Sequence, residues 1–367
     1  PPPPPPPPFD LVGAATSAVI LAYALYALLR VLFSHRAVTT AAPKPRAAPA
    51  APATAVDPHP VDESPLPLAE LGGAVRKLLD HHQEDQIIDA GVLLSRLQRT
   101  LKAHPAAPEA VAASAELGAS GIDTSKLAIR FATCRHALSL IYNTDGWVHA
   151  YELAGIRTYT RQDDSGRPWV KSEGVVEGVE VQDLLATWKE GDLYNEWVPN
   201  CYSSKTIKEI GRSEMLLWFA LRTIPIIDLA VHGFGVDALS SGYFLILAKH
   251  ASQKDWPDNP IPRKRGLRVA FSGLQVMIEP VGPTSVRSCL VASLDTSQTP
   301  LPDWLLNFTI KYTMGVLFYV QAKCAQKMRS RPERSAHARL VASKPHFYRD
   351  WLTVKVDRYR REKGWIA

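Results

Sequence analysis

Near the C-terminal third of the chain, apolar residues alternate along two consecutive stretches. In Gly266 to Val281, Leu267, Val269 and Phe271 fall on odd positions and Leu274, Val276 and Ile278 on even ones, so the phase flips at Ser272-Gly273. Side chains on a strand repeat every two residues, so one extra residue inverts the faces, and glycine is the usual site of the bulge that absorbs it. Gly282-Pro283 then predicts a turn, and Val286, Leu290, Ala292 and Leu294 predict a returning strand. After Thr299-Pro300-Leu301-Pro302, with Pro302 suited to a first helical position and Asp303 to the positive helix end, Trp304 to Met328 predicts a helix. Its middle, Tyr312 to Val320, carries no charge, so this helix must be covered on nearly all sides. Gly315 costs it about 1 kcal/mol relative to alanine, a cost more easily tolerated where another element must approach closely.

The rest of the chain divides by pattern. Pro1 to Pro8 predicts an extended polyproline rod, part of a distinct N-terminus over 1–10. Leu11 to Leu29 holds 19 residues without a charge and continues through Val31-Leu32-Phe33, enough at 1.5 Å per residue to cross a hydrocarbon core of about 30 Å. One membrane anchor over 11–33 is expected. Arg30, Arg36, Lys44 and Arg46 follow it while Asp10 precedes it, which predicts a single-pass protein with its large C-terminal part in the cytosol. Residues 34–67, rich in Ala and Pro, predict a semi-extended linker. In 68–122 the spacing of Leu71, Val75, Leu78 and Leu79, then of Ile88, Val92, Leu93 and Leu97, predicts two helices parted near His81-His82-Gln83. Adjacent histidines on a helix face different ways, so no metal site is expected there. Pro105 to Gly121 predicts a short helix or loop. Thr124 to Tyr142 predicts a helix leading into strands Trp147 to Leu153 and Ile156 to Arg161, a turn at Asp163-Asp164-Ser165-Gly166, and a third strand Trp169 to Val176. Val181, Leu184, Leu185, Trp188, Leu193 and Trp197 then predict an amphipathic helical region. Met215 to Leu221 is apolar at every position, as expected of a strand with one face in a core and the other in a dry cavity. Thr223-Ile224-Pro225-Ile226-Ile227 is an apolar loop, and such loops tend to cover something or to enter a membrane surface.

The segment Leu301-Pro302-Asp303-Trp304-Leu305-Leu306-Asn307-Phe308, after a strand ending Ser293-Leu294-Asp295, resembles the last strand and closing helix of the StAR-related lipid-transfer (START) family. Lys171-Ser172-Glu173-Gly174-Val175-Val176 with the helix to Trp197 resembles that family's third strand and following helix. Cys201 to Leu221 resembles the next two strands, and His232-Gly233-Phe234-Gly235-Val236-Asp237 the strand after the loop. The order and spacing of these stretches, from Thr124 to Met328, carry the resemblance. It implies an α+β helix-grip fold over 123–328, a curved antiparallel sheet wrapped on a long C-terminal helix with a cavity for one lipid, sterol or phospholipid. In that family the loop equivalent to Thr223–Ile227 and the closing helix form the cavity mouth. Where many members have Arg-Asp after the loop, this chain has Ile227-Asp228, so no role of that arginine is carried over. Expected lining residues are Trp218, Phe234, Met277, Leu306, Ile310, Met314 and Leu317. Arg222, His232 and Arg287 would meet a headgroup or hydroxyl if they point inward; the alternative for each is an outward, solvated side chain.

Composition narrows the function. Thirty prolines in 367 residues, with an Ala-rich first third, point to one large core rather than two domains. Four cysteines without metal-type spacing read as free thiols. The net charge is +6, yet Arg329 to Ala367 holds eleven Lys/Arg against four Asp/Glu, so the basicity belongs to the tail over 329–367 and argues against nucleic acid. In that tail Phe347, Trp351, Val354 and Tyr359 among arginines predict an aromatic, basic helix, either drawn to anionic lipid or docked on the protein itself. No Gly-x-Ser-x-Gly elbow, Cys-His signature or phosphate-cradling loop is present, so no catalytic residue, metal or cofactor is expected. The expected function is lipid binding or transfer from a membrane tether. The alternatives are a structural subunit of a membrane complex and, third, a helix-grip enzyme resembling polyketide cyclases.

Overall fold

The computed structural model describes residues 64–223, 226–263, 266–294 and 303–366, with the backbone alone for 294 and 303–310. The expected anchor over 11–33 and linker to residue 63, together with residues 224–225, 264–265 and 295–302, lie outside the described residues. Among the described residues, no helix is long and apolar enough to cross a membrane.

Four helices come first: α1 (Leu71–Gln83), α2 (Ile87–Ala103), α3 (Pro108–Ala119) and α4 (Thr124–Tyr142). The first two part at Glu84-Asp85-Gln86, where Asp85 takes a positive φ of 59°. Helix α4 starts at Asp123, whose carboxylate accepts from the Lys126 N–H at 2.9 Å. Leu127, Phe131, Cys134, Leu138 and Ile141 give it one buried stripe at helical spacing. Strands β1 (Val148–Leu153), β2 (Ile156–Gln162) and β3 (Pro168–Glu177) follow, then α5 (Val181–Lys189), opened by a capping box in which the Glu180 N–H donates to Asp183 at 2.8 Å. Next come β4 (Cys201–Glu209), β5 (Glu214–Leu221), β6 (Ile227–Ala238), β7 (Tyr243–His250), β8 (Leu267–Arg268), β9 (Phe271–Gly282) and β10 (Ser285–Leu294). Last are α6 (Asp303–Ser330), α7 (Ala336–Ser343) and α8 (Val354–Glu362).

The strands form one sheet in the order β1-β2-β3-β10-β9-β7-β6-β5-β4, antiparallel throughout, with short β8 added parallel to β6. The expected phase flip is present: Ser293 pairs with Gly273 but Leu294 with Phe271, so Ser272 is the extra residue. The predicted strand from Gly266 is instead divided, because Leu267-Arg268 pairs with Ile227-Asp228 before the chain crosses to β9. Strand β7 gives no pattern signal, because its apolar run Tyr243 to Ala248 is buried or half-buried throughout and shows no alternation.

The sheet carries helices on both faces. One face packs on α1–α4 through Trp169, Val236, Leu245, Leu247, Met277, Cys289 and Val291. The opposite face packs on α5, α6 and the C-terminal helices through Ile156, Val170, Leu217, Val231, Val276, Ile278 and Leu290. Among the described residues, α6 rests on β1, β2, β3 and β10 and against α5. This is an α+β helix-grip arrangement, defined by the chain's own strand order and helix placement.

Lys171 ties α4 to the sheet. Its ammonium is buried and donates to the Ile141 and Asn143 carbonyls at the α4 C-terminus, at 3.4 and 3.3 Å, while lying 4.7 Å from the Trp147 ring centre. Cations favour helix C-termini, where carbonyls lack partners.

The tail docks on its own domain. Tyr348, Leu352, Val356 and Tyr359 are buried in the helix-side core, whereas Val354, expected on the apolar face, is 49% exposed. The phase differs because Tyr348–Thr353 is a π-helical stretch, which shifts the face presented by the residues after it. Lys355 donates to Asp237 at 2.7 Å and Trp351 to Glu84 at 2.9 Å. Tyr348 donates to Glu190 at 2.6 Å.

Candidate functional site

The surface that faces α6 is apolar with small polar groups. Along β5 the odd residues Leu217, Phe219 and Leu221 belong to it, as do Leu229 and Val231 of β6, Ile246 and Ala248 of β7, and Leu274 and Val276 of β9. Beside them Trp188, Tyr194 and Trp197 stack edge to face, with centroids 5.4 and 5.5 Å apart, and Tyr194 meets Phe219 at 5.5 Å. From the helix side, α6 presents Met314, Leu317, Phe318 and Val320 to the same cluster.

Strands β7 and β9 sit in the middle of the sheet. Even so, Ile246, Ala248 and Leu274, all turned towards α6, keep accessible surface, as do Leu317 and Val320 opposite. A close-packed core leaves no such surface on central strands. Under β1–β3 the contact is tight: Tyr151 donates to the Lys311 and Tyr312 carbonyls, both at 3.2 Å, and a Cβ at Gly315 would lie 2.9 Å from the Thr158 hydroxyl. Among the described residues, helix α6 is therefore held closely along β1, β2, β3 and β10.

The polar side chains on this face include hydroxyls and an amide. Thr158 and Ser172 share a hydrogen bond of 3.0 Å, and Gln321 of α6 donates to Thr187 at 2.9 Å. Ser288 is buried, and its pairing with Ile278 places it on the same face. His250, half-buried and paired with Val231, shares this face too, a position the sequence reading did not single out. Charged groups on this side gather where the tail docks and are ion-paired there: Glu190 with Lys344 at 2.7 Å, Asp183 with Arg329 at 3.4 Å and Asp237 with Lys355 at 2.7 Å.

Several residues expected to line this site face the other way. Trp218, with Leu216 and Ala220, packs in an outer cluster with Ala251, Ile261, Tyr202 and Trp256. The second apolar face of β5 is thus covered by protein, not by a cavity. His232 is on that outer side: it bonds Glu214 at 2.9 Å and lies 5.1 Å from the Trp256 ring. Phe234 packs towards the α4 side with the Arg130 guanidinium 4.9 Å from its ring, and Met277 takes the Tyr142 hydroxyl at 3.4 Å. Arg287 pairs with Glu279 at 2.7 Å and alternates with helix-facing Val286 and Ser288, so it too points away. Arg222 is exposed over the Tyr202 ring at 5.5 Å. Met314 and Leu317 belong to the cluster between the sheet and α6; Leu306 and Ile310 lie outside the described side chains. Of the expected mouth, Thr223, Ile226 and Ile227 are half-buried at the end of the sheet where β5 leaves and β6 enters.

All four cysteines are free, and burial pushes the Cys134, Cys289 and Cys324 thiols up to about 12 and Cys201 to about 11. Cys324 lies 3.6 Å from His337, but burial holds that imidazole down at about 4, so at neutral pH the pair is a thiol beside a neutral ring, unlike an activated thiolate. Burial would raise the Glu214 carboxyl, yet hydrogen bonds from His232 and Arg130, with Lys126 at 3.3 Å, hold it down to about 2. A carboxylate depressed on folding stabilises the fold above its unfolded value of about 4.5, and this contribution is lost as pH falls towards about 2. Urea unfolding across that window is expected to show a stability loss that Glu214→Gln flattens; identical slopes in the two proteins would refute this role.

No family model matches the sequence, and no curated protein matches it. Among solved structures, a human StAR-related lipid transfer protein 5 structure is similar at 19% identity and a TM-score of 0.49, covering 56% of this chain and 99% of that one. Human STARD10 is similar at 18% and 0.48, covering 54% of this chain and 79% of that one. A STAR-related lipid transfer protein fragment from Xanthomonas axonopodis is similar at 16% and 0.41, covering 50% and 99%.

Proposed function

We propose that this chain holds one hydrophobic ligand of the lipid class between the sheet and α6. The observation that carries this reading is the residual accessible surface of Ile246, Ala248 and Leu274 on the α6 side of central strands. Apolar pockets with a few polar groups are the usual form of small-molecule sites. Each buried methylene contributes about 0.8 kcal/mol, so a lipid chain needs no covalent chemistry to be retained. The ion-paired charges on this face gather at the tail end and Ser288 offers an uncharged hydroxyl on it, which favours a small neutral polar group such as a sterol hydroxyl over a buried phosphate. Four thiols held above neutrality support a carrier rather than a cysteine-dependent enzyme. Residues 11–33 would tether the domain to a bilayer.

The test fills the gap. Ala248→Trp places a bulky ring among Ile246, Leu274 and Gly233 on the α6 side. Lipid copurifying with the full chain, measured by extraction and mass spectrometry, is expected to fall at least about tenfold, the effect of losing about 1.4 kcal/mol of binding. Unchanged lipid content in a variant with the wild-type circular dichroism spectrum would refute the site.

A further inference from the structure

The aromatic corner beside the site holds two donors without acceptors. Trp188, at the end of α5, and Trp197 are 7% and 6% exposed, and neither indole N–H has a hydrogen-bond partner. The neighbouring polar atoms are already used. The Tyr194 hydroxyl donates to the Trp188 carbonyl at 3.0 Å, and the Thr187 hydroxyl donates to the Leu184 carbonyl at 2.7 Å while accepting from Gln321 of α6. The rings meet edge to face, at interplanar angles of 85° and 71°, and a ring face is a weaker acceptor than an oxygen lone pair. A buried indole N–H usually finds a polar partner, because leaving it unmatched costs the fold its lost hydration.

The chemistry of this corner narrows what the partner can be. An indole nitrogen donates only, so the partner must accept. The cations close in the chain and the fold are engaged: Lys189 lies 3.7 Å from Glu209, and Lys344 lies 2.7 Å from Glu190. An anionic acceptor would therefore be buried without a counter-charge of its own, which is costly. A hydroxyl would bring a further donor into a corner that lacks acceptors. An uncharged carbonyl oxygen brings lone pairs and no proton.

We propose that Trp188 and Trp197 form the polar subsite of the lipid site and that the ligand is a neutral acyl ester, whose carbonyl oxygen accepts from the indoles. This subsite, which rests on the reading of the space beside α6 as a lipid site, gives that ligand its chemical class. Both rings belong to the cluster that holds Phe219, Ile246, Leu274 and Leu317, so a carbonyl at the indoles leaves its acyl chain among apolar side chains. Trp147 supplies the contrast: its N–H also lacks a partner, yet its ring packs on Lys171 on the α4 side of the sheet, away from this cluster.

The test measures, by native mass spectrometry, uptake by the full chain of methyl palmitate, palmityl alcohol and hexadecane, which carry similar chains and differ in the polar group. Methyl palmitate is expected to bind about tenfold more tightly than either of the others, the effect of matching an otherwise orphaned donor. Trp188→Phe with Trp197→Phe should erase that preference while hexadecane binds as before, and Trp147→Phe should keep it. In the wild type, the indole N–H proton signals of Trp188 and Trp197 should move with methyl palmitate and not with hexadecane, a readout that needs no variant. A preference that survives the double exchange, or indole signals that ignore the ester, would overturn the subsite. Equal uptake of ester and alkane would overturn it too while leaving the lipid site standing, whereas uptake of none of the three would remove both.

Discussion

Gly315→Leu is expected to lower the unfolding free energy by about 3 kcal/mol, at the upper end of what overpacking a tight interface costs. The new side chain would begin against the Tyr151 hydroxyl and 2.9 Å from that of Thr158, the two groups on which α6 is seated. Neither can recede, since Tyr151 donates to two α6 carbonyls and Thr158 is tied to Ser172. The helix must lift, and with it Met314, Leu317 and Phe318, which close the proposed site. A smaller version isolates the cause: Gly315→Ala should cost less in a Tyr151→Phe background than alone, because the clashing hydroxyl is gone. Urea unfolding of the four proteins measures this coupling. Strict additivity would mean that Tyr151 does not set the height of the helix.

Lys355→Met is expected to destabilise by about 3 to 5 kcal/mol, the usual result of removing one partner from a buried ion pair. Asp237 is 4% exposed, and Lys355 reaches it at 2.7 Å while also pairing with Glu84 at the same distance. The contact joins three parts distant in sequence: the α1–α2 turn, the end of β6 and α8. Adding Asp237→Asn to Lys355→Met should recover part of the loss, since the uncompensated carboxylate is then gone. Thermal unfolding of both variants checks it; a Lys355→Met protein as stable as wild type would show that the tail is dispensable for the fold.

Much of the fold is legible in the sequence, because periodicity reports directly on faces. The extra residue at Ser272 and the position of Gly315 follow from pattern alone, whereas His81-His82-Gln83, expected to part the first two helices, is the last turn of α1 and the break falls at Glu84-Asp85-Gln86. The side on which a strand residue lies is another matter. Alternation says which residues share a face only when one face is wet. Here β5, β6 and β9 are covered on both faces, by α1–α4 and the 251–261 loop on one and by the cluster that includes Trp188, Tyr194, Trp197 and α6 on the other. Trp218, His232, Phe234 and Met277 have the size and chemistry expected of a lining but the wrong parity. Leu217, Val231 and Val276, one residue away, have the right one. Strand β7 offers no alternation at all. In the tail, the π-helical stretch breaks the 3.6-residue phase that placed Val354 on the apolar face.

The central claim is that the space between the sheet and α6 holds a lipid. Native mass spectrometry of the full chain, released from detergent and followed by lipid extraction, tests it most directly. One neutral lipid per chain, displaced in Ala248→Trp, is the predicted result. A well-folded chain that carries no lipid and takes up neither sterol nor phospholipid would contradict it.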